Sequence, residues 1–357
     1  MFIKNLELLN FRNYKKKIFK FNRNLNIIIG ANGSGKTNVL EAIYILSQGK
    51  SWRSHYDYET IREGENYLNI KSITIINKQK INMFIALQKG VGNRSKKAFK
   101  INNVSKSMQK FTGTLKSVLF SPDDLEIITG APSKRRLFLN DILKQTDNDY
   151  KRNLANLKKV ISSRNKLLQN IAEKGYKHTE LEFWDYQLLK FSNYITQKRK
   201  ELIDYLNYFI KDNFKKISNT NSTLKIDYKD SKISKERLIE YQKKEIAAKR
   251  TLIGAQKEDL ILNSSKNNGP FLSTRFFSSR GEQRTASFVL KLGALDFIKE
   301  KTKEKAILLL DDIYSELDIY HRKSISKYFK KNQIFITSSE VKMIPKEILK
   351  ESKIYRI

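Results

Sequence analysis

The sequence predicts an α/β protein in which both ends of the chain form one domain and a helical arm is inserted between them. Three observations predict this. A short apolar run near the N-terminus leads into a glycine-rich loop, a second apolar run near the C-terminus ends in two aspartates, and the segment between them repeats apolar residues at helical spacing. We expect the domain boundaries at 1–121, 122–250 and 251–357, with the arm in the middle.

The N-terminal segment carries strand patterns on both sides of one helix. Phe2 to Leu9 alternates between apolar and polar residues, and Leu25 to Ile29 is a run of strand length. An apolar stripe from Val39 to Leu46 predicts a helix directly after the glycine-rich loop. Short strand-like segments continue over 67–120, so we expect a β-rich subdomain within 1–121.

The middle of the chain has the composition of long helices. After Pro132 no proline appears before residue 214, and Gly175 is the one glycine. The spacing predicts helices over 132–143, 147–173 and 180–214. At 1.5 Å per residue the two longer helices would extend about 40 to 50 Å, which is a short arm.

The C-terminal segment returns to an α/β pattern. Its predicted elements are strands at 223–228 and 259–262, a helix from Glu282, a buried strand from Ala306 to Leu310, a helix from about Leu317, and a last strand from Gln333 to Thr337.

Composition limits the class of protein. The 357 residues carry a formal net charge of +33, contain no cysteine, and include no apolar run long enough to cross a bilayer. Such an excess of positive charge predicts nucleic acid or an anionic membrane as the partner, although the alternative is a merely solvated basic surface. The N-terminus lacks a signal-peptide pattern, so we expect a cytoplasmic protein with no membrane partner.

Residues 30–37 match the phosphate-binding pattern G-x-x-x-x-G-K-S/T, between an apolar strand and a helix. Glycines let the loop fold tightly so that successive N–H groups point at phosphate oxygens. We expect Lys36 to reach the β- and γ-phosphates of ATP and Thr37 to bind Mg²⁺. The predicted nucleotide-binding residues of the loop are Gly30, Ala31, Asn32, Gly33, Ser34, Gly35, Lys36 and Thr37.

The apolar run Ile307 to Leu310 followed by Asp311 and Asp312 has the form of a Walker B strand. We expect Asp311 to bind the Mg²⁺ ion and Asp312 to act on the attacking water, with Lys36 as the third catalytic residue. A core strand followed by a turn would explain one aspartate but explains two poorly.

The run Ser278 to Gln283 resembles the signature sequence of ABC ATPases, and Ser315 to Asp318 resembles their D-loop. In that resemblance Ser279 and Gly281 contact the γ-phosphate held by a second subunit, which predicts an ATP-dependent homodimer. The alternative for Ser279 is an ordinary helix start.

Spacing separates the relatives within the ABC class. Lys36 and Asp311 lie at opposite ends of the chain, farther apart than in transporter ATPases, while SMC proteins and their zinc-hook relatives carry far longer coiled coils, and the zinc hook needs cysteine. A transporter energising subunit is the least favoured class. A two-part ABC-type ATPase head (P-loop NTPase) with a short arm remains.

This architecture resembles the RecF family, and four runs carry the resemblance: Leu9–Tyr14, Lys50–Arg53, Pro122–Leu139 and Leu310–Asp318. The resemblance implies that Arg12 lies beside the nucleotide. It further implies binding to single-stranded or gapped DNA without sequence specificity, and partnership with RecR and RecO in loading RecA during recombinational repair, replication restart and the SOS response. The alternative is an SMC-like structural ATPase that bridges DNA.

Three departures from the family pattern concern hydrolysis and the arm. Asn140 stands where an aspartate is usual, Gly254 to Asp259 lacks a histidine and an arginine, and the last strand ends in Thr337 without a switch histidine. We therefore expect at most weak, DNA-stimulated ATP hydrolysis that serves as a switch.

Five basic clusters are candidates for phosphate contact, although each one taken singly is more often a solvated face. Lys134 to Arg136 fits a solvated face least well, and an ion-pairing or folding role is equally open for it. The clusters are Lys15–Lys17, Lys96–Lys97, Lys134–Arg136, Lys198–Lys200 and Lys243–Lys244.

Overall fold

The structure is a computed structural model that describes residues 1–91, 94–218, 221–267, 269–312 and 332–357. The chain divides into two compact units. The first unit contains 1–125 and 279–357 together with a short piece around 216–218, and the second contains 126–215 and the segment that ends at residue 278.

The strands of the described residues are numbered in chain order. They are β1 (Phe2–Phe11), β2 (Tyr14–Lys20), β3 (Leu25–Ile29), β4 (Tyr67–Ile76), β5 (Gln79–Lys89), β6 (Ser95–Ile101), β7 (Val104–Lys106), β8 (Ser117–Phe120), β9 (Ser222–Lys229), β10 (Asp259–Lys266), β11 (Leu272–Ser273), β12 (Ile307–Leu310), β13 (Ile334–Ser338) and β14 (Ser352–Arg356).

The α-helices of the described residues are numbered in the same way. They are α1 (Lys36–Gln48), α2 (Met108–Phe111), α3 (Glu126–Thr129), α4 (Pro132–Thr146), α5 (Asn148–Lys174), α6 (Leu181–Ser218), α7 (Lys235–Ala248), α8 (Thr274–Phe277), α9 (Arg280–Thr302) and α10 (Lys346–Lys350).

The first unit contains a parallel sheet in the order β14-β3-β13-β12-β8. Every residue of β3, β12 and β13 is buried, which explains why these strands are predominantly apolar in the sequence. The apolar stripe of α1 is also buried and belongs to the same core as Ile28, Leu309 and Phe335. The sheet thus brings the C-terminal ends of β3 and β12 to one edge, with β13 between them.

A second, antiparallel sheet of the first unit has the order β2-β1-β4-β5-β6-β7. The alternation of buried and less buried residues along β4 and β5 matches one face turned to the core. This is the β-rich subdomain that the sequence predicts within 1–121.

The second unit is mostly helical, and its long helices agree with the sequence within a few residues. The predicted 147–173 is α5, and the predicted 180–214 is α6, which continues to Ser218. Asp147 caps α5 by accepting a hydrogen bond from the Tyr150 amide, and Gly175 ends it at a φ angle of +68°. None of the helices in the described ranges has both the length and the apolar composition that crossing a membrane requires.

The second unit also contains a three-stranded sheet in the order β11-β10-β9. The sequence assigned 251–278 to the C-terminal part of the head, whereas the structure has these residues in the second unit. The reason is that β10 pairs with β9 along its whole length, a contact for which the sequence carries no local signal. The helix predicted from about Leu317 lies outside the described residues.

Candidate nucleotide-binding site

The loop after β3 has a backbone that requires glycine. Gly33 and Gly35 have φ angles of +82° and +108°, in the left-handed region that other residues rarely adopt. A Cβ atom on Gly35 would lie 2.6 Å from the Asn13 side chain, and one on Gly30 would lie 2.3 Å from the Ile357 carbonyl oxygen. Asn13 and Ile357 therefore lie so close to the loop that only glycine fits at its two ends, positions 30 and 35.

The start of α1 and the side chain of Lys36 make the loop electropositive. The helix begins at Lys36, and within the described residues no side chain caps it, so its first amides remain for another acceptor. The Lys36 ammonium donates to the carbonyl oxygens of Gly30 and Ala31, each at 2.8 Å, and is buried. A helix N-terminus with an adjacent buried cation is suited to bind a polyphosphate.

Ser34 supplies an independent indication that an anion fits this loop. Its hydroxyl oxygen is buried and has no hydrogen-bond partner among the described residues. A buried hydroxyl without a partner costs free energy, and a phosphate oxygen would accept its hydrogen bond. The residues present thus fit the triphosphate of ATP.

Asn13 and Tyr14 support the loop from the turn between β1 and β2. The Asn13 side-chain Nδ2 donates to the Ser34 carbonyl oxygen at 2.8 Å, and the Tyr14 hydroxyl donates to the Gly35 carbonyl oxygen at 3.2 Å. The sequence analysis assigned neither residue a role of its own, although both lie in the run from Leu9 to Tyr14.

Thr37 and Asp311 meet across the parallel sheet. The Thr37 hydroxyl donates to Asp311 Oδ1 at 2.7 Å, and the Thr337 hydroxyl donates to the same oxygen at 2.8 Å. Thr337 in turn accepts from the Asp312 amide at 2.9 Å. Because β13 lies between β3 and β12, Thr337 stands between the two predicted motifs and orients the carboxylate of the second.

The donor set of Thr37 and Asp311 suits Mg²⁺, which takes hard oxygen ligands and is usually held by one or two carboxylates together with phosphates. Burial raises the pKa of Asp311, and the hydrogen bonds from the two threonines and the charge of Arg53 oppose that rise. A divalent cation at this position would stabilise the carboxylate form.

Arg12 is bound within the chain. Its guanidinium donates to both oxygens of the buried Glu41, at 2.9 and 2.6 Å, and also to the Ser54 hydroxyl and the Glu59 carbonyl oxygen. Its own φ angle of +53° lies in the left-handed region. The contact of Arg12 with a nucleotide stays a prediction, and what the structure adds is that Arg12 joins the end of β1 to Glu41 in α1.

Arg53 is the cation that the sequence analysis missed at this site. Its guanidinium donates to the Asn38 side chain at 3.0 Å and lies 3.7 Å from Glu41. Its charge also acts on Asp311. The sequence signal that could have indicated Arg53 is the run Lys50–Arg53, which resembles the RecF family but does not by itself assign a role to any one residue.

Ser279 and Gly281 lie at the start of α9. The Ser279 hydroxyl accepts from the Glu282 amide at 3.3 Å, and Glu282 accepts in return from the Ser279 amide at 2.8 Å, so the two residues form a capping box. Gly281 is exposed, and a Cβ atom there would meet nothing within 4 Å. No hydrogen bond of the described residues joins Ser279 or Gly281 to the loop. The predicted D-loop, Ser315–Asp318, lies outside the described residues.

Comparison with known proteins identifies the family. The family model "RecF/RecN/SMC N terminal domain" matches residues 2–356. The chain is 35% identical over 367 residues to the DNA replication and repair protein RecF of Clostridium botulinum (strain ATCC 19397 / Type A), covering 100% of this chain and 98% of the relative. The chain belongs to the RecF family. RecF of Clostridioides difficile (strain 630) is likewise 35% identical, over 96% of this chain and 92% of the relative.

Solved structures agree in fold. A structure of the recombination mediator protein RecF with ATP in the RecFOR pathway matches with a TM-score of 0.86 and 31% identity, covering 95% of this chain and 92% of that one. The head domain of Smc from Pyrococcus furiosus matches with a TM-score of 0.56 and 17% identity, covering 96% of this chain and 90% of that one, and shows the fold alone. The first unit therefore has the ABC-type ATPase head fold of the RecF family and of SMC heads.

The run Pro122–Leu139, which carries the RecF resemblance, forms ion pairs in the second unit. Arg135 donates to both oxygens of Asp259, at 2.6 and 2.9 Å, and Lys134 pairs with Glu126. Arg136 donates to the Glu258 carbonyl oxygen at 2.8 Å. Of the alternatives left open for this cluster, the structure favours ion pairing for Lys134 and Arg135.

Two of the three departures from the RecF pattern, Asn140 and the run Gly254–Asp259, belong to one buried network around Arg199. Its guanidinium donates to Glu258 at 2.7 Å and to the Asn140 side chain at 3.0 Å, and Glu258 also accepts from the hydroxyls of Tyr228 and Thr196. Burial and the neighbouring Glu258 raise the pKa of Tyr228, so its phenol stays protonated and can donate. Residues 140 and 258 are thus part of the interior of the second unit.

Proposed function

We propose that this chain is an ATP-dependent DNA-binding protein of DNA replication and repair, with MgATP bound on the loop 30–37. The observation that carries the proposal is the hydrogen bond from Thr37 to Asp311, which joins two motifs 274 positions apart in the sequence. Support comes from the relatives, which are named as DNA replication and repair proteins, and from the RecF structure with ATP.

The roles follow from the chemistry of each group. The loop amides, Ser34 and Lys36 would bind the phosphates, and Thr37 with Asp311 would hold Mg²⁺, which neutralises charge on the phosphates when bound. Asp312 would orient the attacking water. Because the chain lacks a switch histidine, hydrolysis should be weak, DNA-stimulated and suited to a switch.

The first test measures nucleotide binding and hydrolysis for the parent and for Lys36→Met. The variant removes the buried ammonium and keeps an unbranched side chain, so we expect loss of ATP binding with little change in the free energy of unfolding. ATPase activity of the parent should rise with gapped DNA and fall back as salt increases, because phosphate contacts weaken with ionic strength. ATP binding by Lys36→Met at the parent's affinity would contradict the proposed site.

We infer further that ATP joins two copies of this chain, with Ser279 and Gly281 of each against the γ-phosphate held by the other. The open space around Gly281 supports this, because nothing within the described residues requires a glycine there. A glycine in the first turn of a helix also costs stability relative to alanine, about 0.5–1 kcal/mol in a helix interior. A close approach by a second molecule would explain it.

Two variants separate assembly from folding. Gly281→Ala should raise the melting temperature slightly while weakening ATP-dependent dimerisation in light scattering. Ser279→Asp retains a good N-cap residue but opposes a phosphate with negative charge, whereas Ser279→Arg removes both the cap and the space. If Gly281→Ala and Ser279→Asp dimerise with ATP as well as the parent does, the assembly is wrong.

DNA contact is proposed for the basic strand β2, an edge of the antiparallel sheet. Lys15, Lys16 and Lys17 are exposed and have no ion pair among the described residues, in contrast to Lys97, which pairs with Asp57. Edge lysines also guard a sheet against aggregation, so the contact needs a direct test.

The test compares two charge reversals of equal size. Lys15→Glu with Lys17→Glu should weaken binding to gapped DNA and reduce the slope of log affinity against log salt by about 2, since each phosphate contact contributes about 0.9. The control, Lys243→Glu with Lys244→Glu in α7, should leave the slope unchanged. A slope for Lys15→Glu with Lys17→Glu equal to that of the parent would exclude β2 as a DNA contact.

Finer roles rest on the family. We propose single-stranded or gapped DNA as substrate, RecR and RecO as partners, and promotion of RecA loading in recombinational repair and the SOS response. Filament-loading assays on gapped DNA should show acceleration that depends on ATP and on Lys36. DNA compaction without any effect on loading would instead indicate an SMC-like bridging protein.

A further inference from the structure

The second unit contains a cavity of about 360 Å³ between α6 and β9, far in sequence from the nucleotide loop. Its size falls within the range of small ligand sites. The buried side chains of Ile210, Phe214 and Leu224 line it, and Phe271 stands beside them with half of its surface exposed. The cavity thus combines an apolar floor with an aromatic ring open to solvent.

One wall of the cavity is formed by β9, which is an edge strand of its sheet. Among the residues that the structure describes, β9 pairs with β10 alone, in continuous register. The Asn207 side chain donates to the Ile226 carbonyl oxygen at 2.9 Å and accepts from the Ile226 amide at 2.8 Å. The backbone groups of Ile226 therefore point away from β10, and so do those of Leu224 two residues earlier. The N–H and C=O of Leu224, a residue that lines the cavity, therefore face the side of β9 that no described strand occupies.

The rim of the cavity is basic. Lys211 and Lys215 are both exposed, and neither forms an ion pair with a described residue, whereas Lys225 is paired with Asp227 at 2.9 Å. Two uncommitted cations one helical turn apart lie beside an apolar floor and an unpaired strand edge. The chemistry that complements all three is an extended backbone with an apolar side chain and neighbouring carboxylates.

We propose that this cavity binds an extended segment of a partner protein, in which an apolar side chain flanked by acidic residues enters between α6 and β9. The segment's backbone pairs with the N–H and C=O of Leu224, its apolar side chain contacts Phe214 and Phe271, and its carboxylates meet Lys211 and Lys215. Single-stranded nucleic acid would satisfy the lysines and the aromatic ring but carries no amide backbone to continue the sheet.

The test uses the full chain and a fluorescein-labelled peptide in which Leu-Phe-Leu is flanked on each side by Glu-Asp-Glu, read by fluorescence anisotropy. We expect saturable binding below about 1 mM. Lys211→Glu with Lys215→Glu should weaken it about tenfold, because each reversal turns an exposed attraction into a repulsion. The matched control, Lys243→Glu with Lys244→Glu in the same unit, should change it less than twofold.

Two further comparisons test separately the contact with the aromatic ring of Phe271 and the backbone pairing with β9. Phe271→Ser should weaken binding at least fivefold, while Phe277→Ser, which removes another exposed ring of the same unit outside the cavity, should not. A peptide N-methylated at the central phenylalanine, which loses that N–H, should also bind at least fivefold more weakly. Melting temperatures of the variants show whether each one folds.

Several results would overturn the proposal. They are absence of saturable binding at about 1 mM, equal binding of a peptide with serine in place of Leu-Phe-Leu, equal effects of the two lysine double variants, and no effect of N-methylation. Binding of labelled oligothymidylate with the same dependence on Lys211, Lys215 and Phe271 would assign the cavity to nucleic acid instead.

Discussion

Replacing Arg164 with methionine should destabilise the second unit and leave nucleotide binding intact. Arg164 is fully buried, and its guanidinium donates to Glu245 at 2.6 Å, to Asp185 at 2.7 Å and to the Thr251 hydroxyl at 3.1 Å. Methionine keeps an unbranched apolar stem but removes the charge. The buried Glu245 then retains the Leu252 amide, at 2.7 Å, as a hydrogen-bond donor.

The expected loss in the free energy of unfolding depends on the two carboxylates that remain when Arg164 is removed. Removing one partner of a buried ion pair costs about 3–5 kcal/mol, because the remaining charge stays out of water. Most of this cost falls on Glu245, which is wholly buried, and little on Asp185, whose side chain is 22% exposed and can regain water. Adding Glu245→Gln to Arg164→Met should therefore recover part of the loss, because no uncompensated charge remains at that position.

Urea unfolding read by tryptophan fluorescence measures the effect unit by unit. The chain has two tryptophans: Trp184 packs on a core cluster of the second unit, and Trp52 packs on the core of the first. In a Trp52→Phe background, Arg164→Met should lower the free energy of unfolding reported by Trp184 by about 3–5 kcal/mol. ATP affinity should stay at the parent value.

A matched control lies on the same helix. Arg152 pairs with Asp149 at 3.0 Å in a largely exposed ion pair, so Arg152→Met should cost no more than about 0.5 kcal/mol. If Arg164→Met costs as little as this control, or if adding Glu245→Gln makes the variant still less stable, the loss does not come from an uncompensated charge on the buried Glu245.

Three further predictions concern the first unit. Thr37→Val should weaken MgATP binding about 10- to 100-fold but not ATP binding in EDTA, since a hydrogen bond to a charged group contributes about 1.5–3 kcal/mol; equal losses in a fluorescent-nucleotide titration would contradict this. Because burial raises the pKa of Asp311, its contribution to stability is present below the unfolded pKa of about 3.9 and is lost as pH rises through the higher folded pKa. Asp311→Asn should therefore gain stability relative to the parent as pH rises from about 4 to 7 in urea unfolding, and a constant difference would refute it. Gly35→Ala should cost about 1–3 kcal/mol and more than Gly33→Ala, because it adds a clash with Asn13 to an unfavourable φ; equal melting temperatures would contradict this.

The local sequence pattern was sufficient to predict the strands and the helix that carry the phosphate-binding loop and the two aspartates of the Walker B strand. The strand Leu25–Ile29 has the predicted bounds, and the helix that follows begins at Lys36, within the loop pattern itself. Buried parallel strands are continuous apolar runs, and long helices repeat at a fixed period, so both are visible within a short window of sequence. The two motifs also predicted that Thr37 and Asp311 lie close together, because both residues were expected to bind the same Mg²⁺ ion.

The supporting residues of the site could not be predicted in this way. Thr337 bonds Asp311 only because β13 lies between the strands of the two motifs, and strand order is not visible in any local pattern. Arg53 and Asn13 act through contacts that depend on how separate turns fold against α1 and the loop. An arginine or asparagine in a turn has no sequence signal that separates a supporting role from a solvated one.

Runs of basic residues were the sequence pattern that predicted least well which side chains are exposed to a polyanionic partner. Arg135 lies in a basic cluster in the sequence, but its side chain is buried against Asp259, more than a hundred residues away. Arg199 likewise lies between two lysines and is among the most buried side chains of the described residues. Clustering in sequence therefore does not show which cations face a polyanion.

The position of β3 in the parallel sheet has a consequence for synthesis on the ribosome. Its neighbours are β13 and β14, which are translated some three hundred residues later. Throughout elongation this mostly apolar segment lacks both hydrogen-bonding partners, whereas the second unit receives all its segments earlier. Nascent chains halted before residue 334 would display an uncovered aggregation-prone stretch, making them substrates for chaperones and proteases.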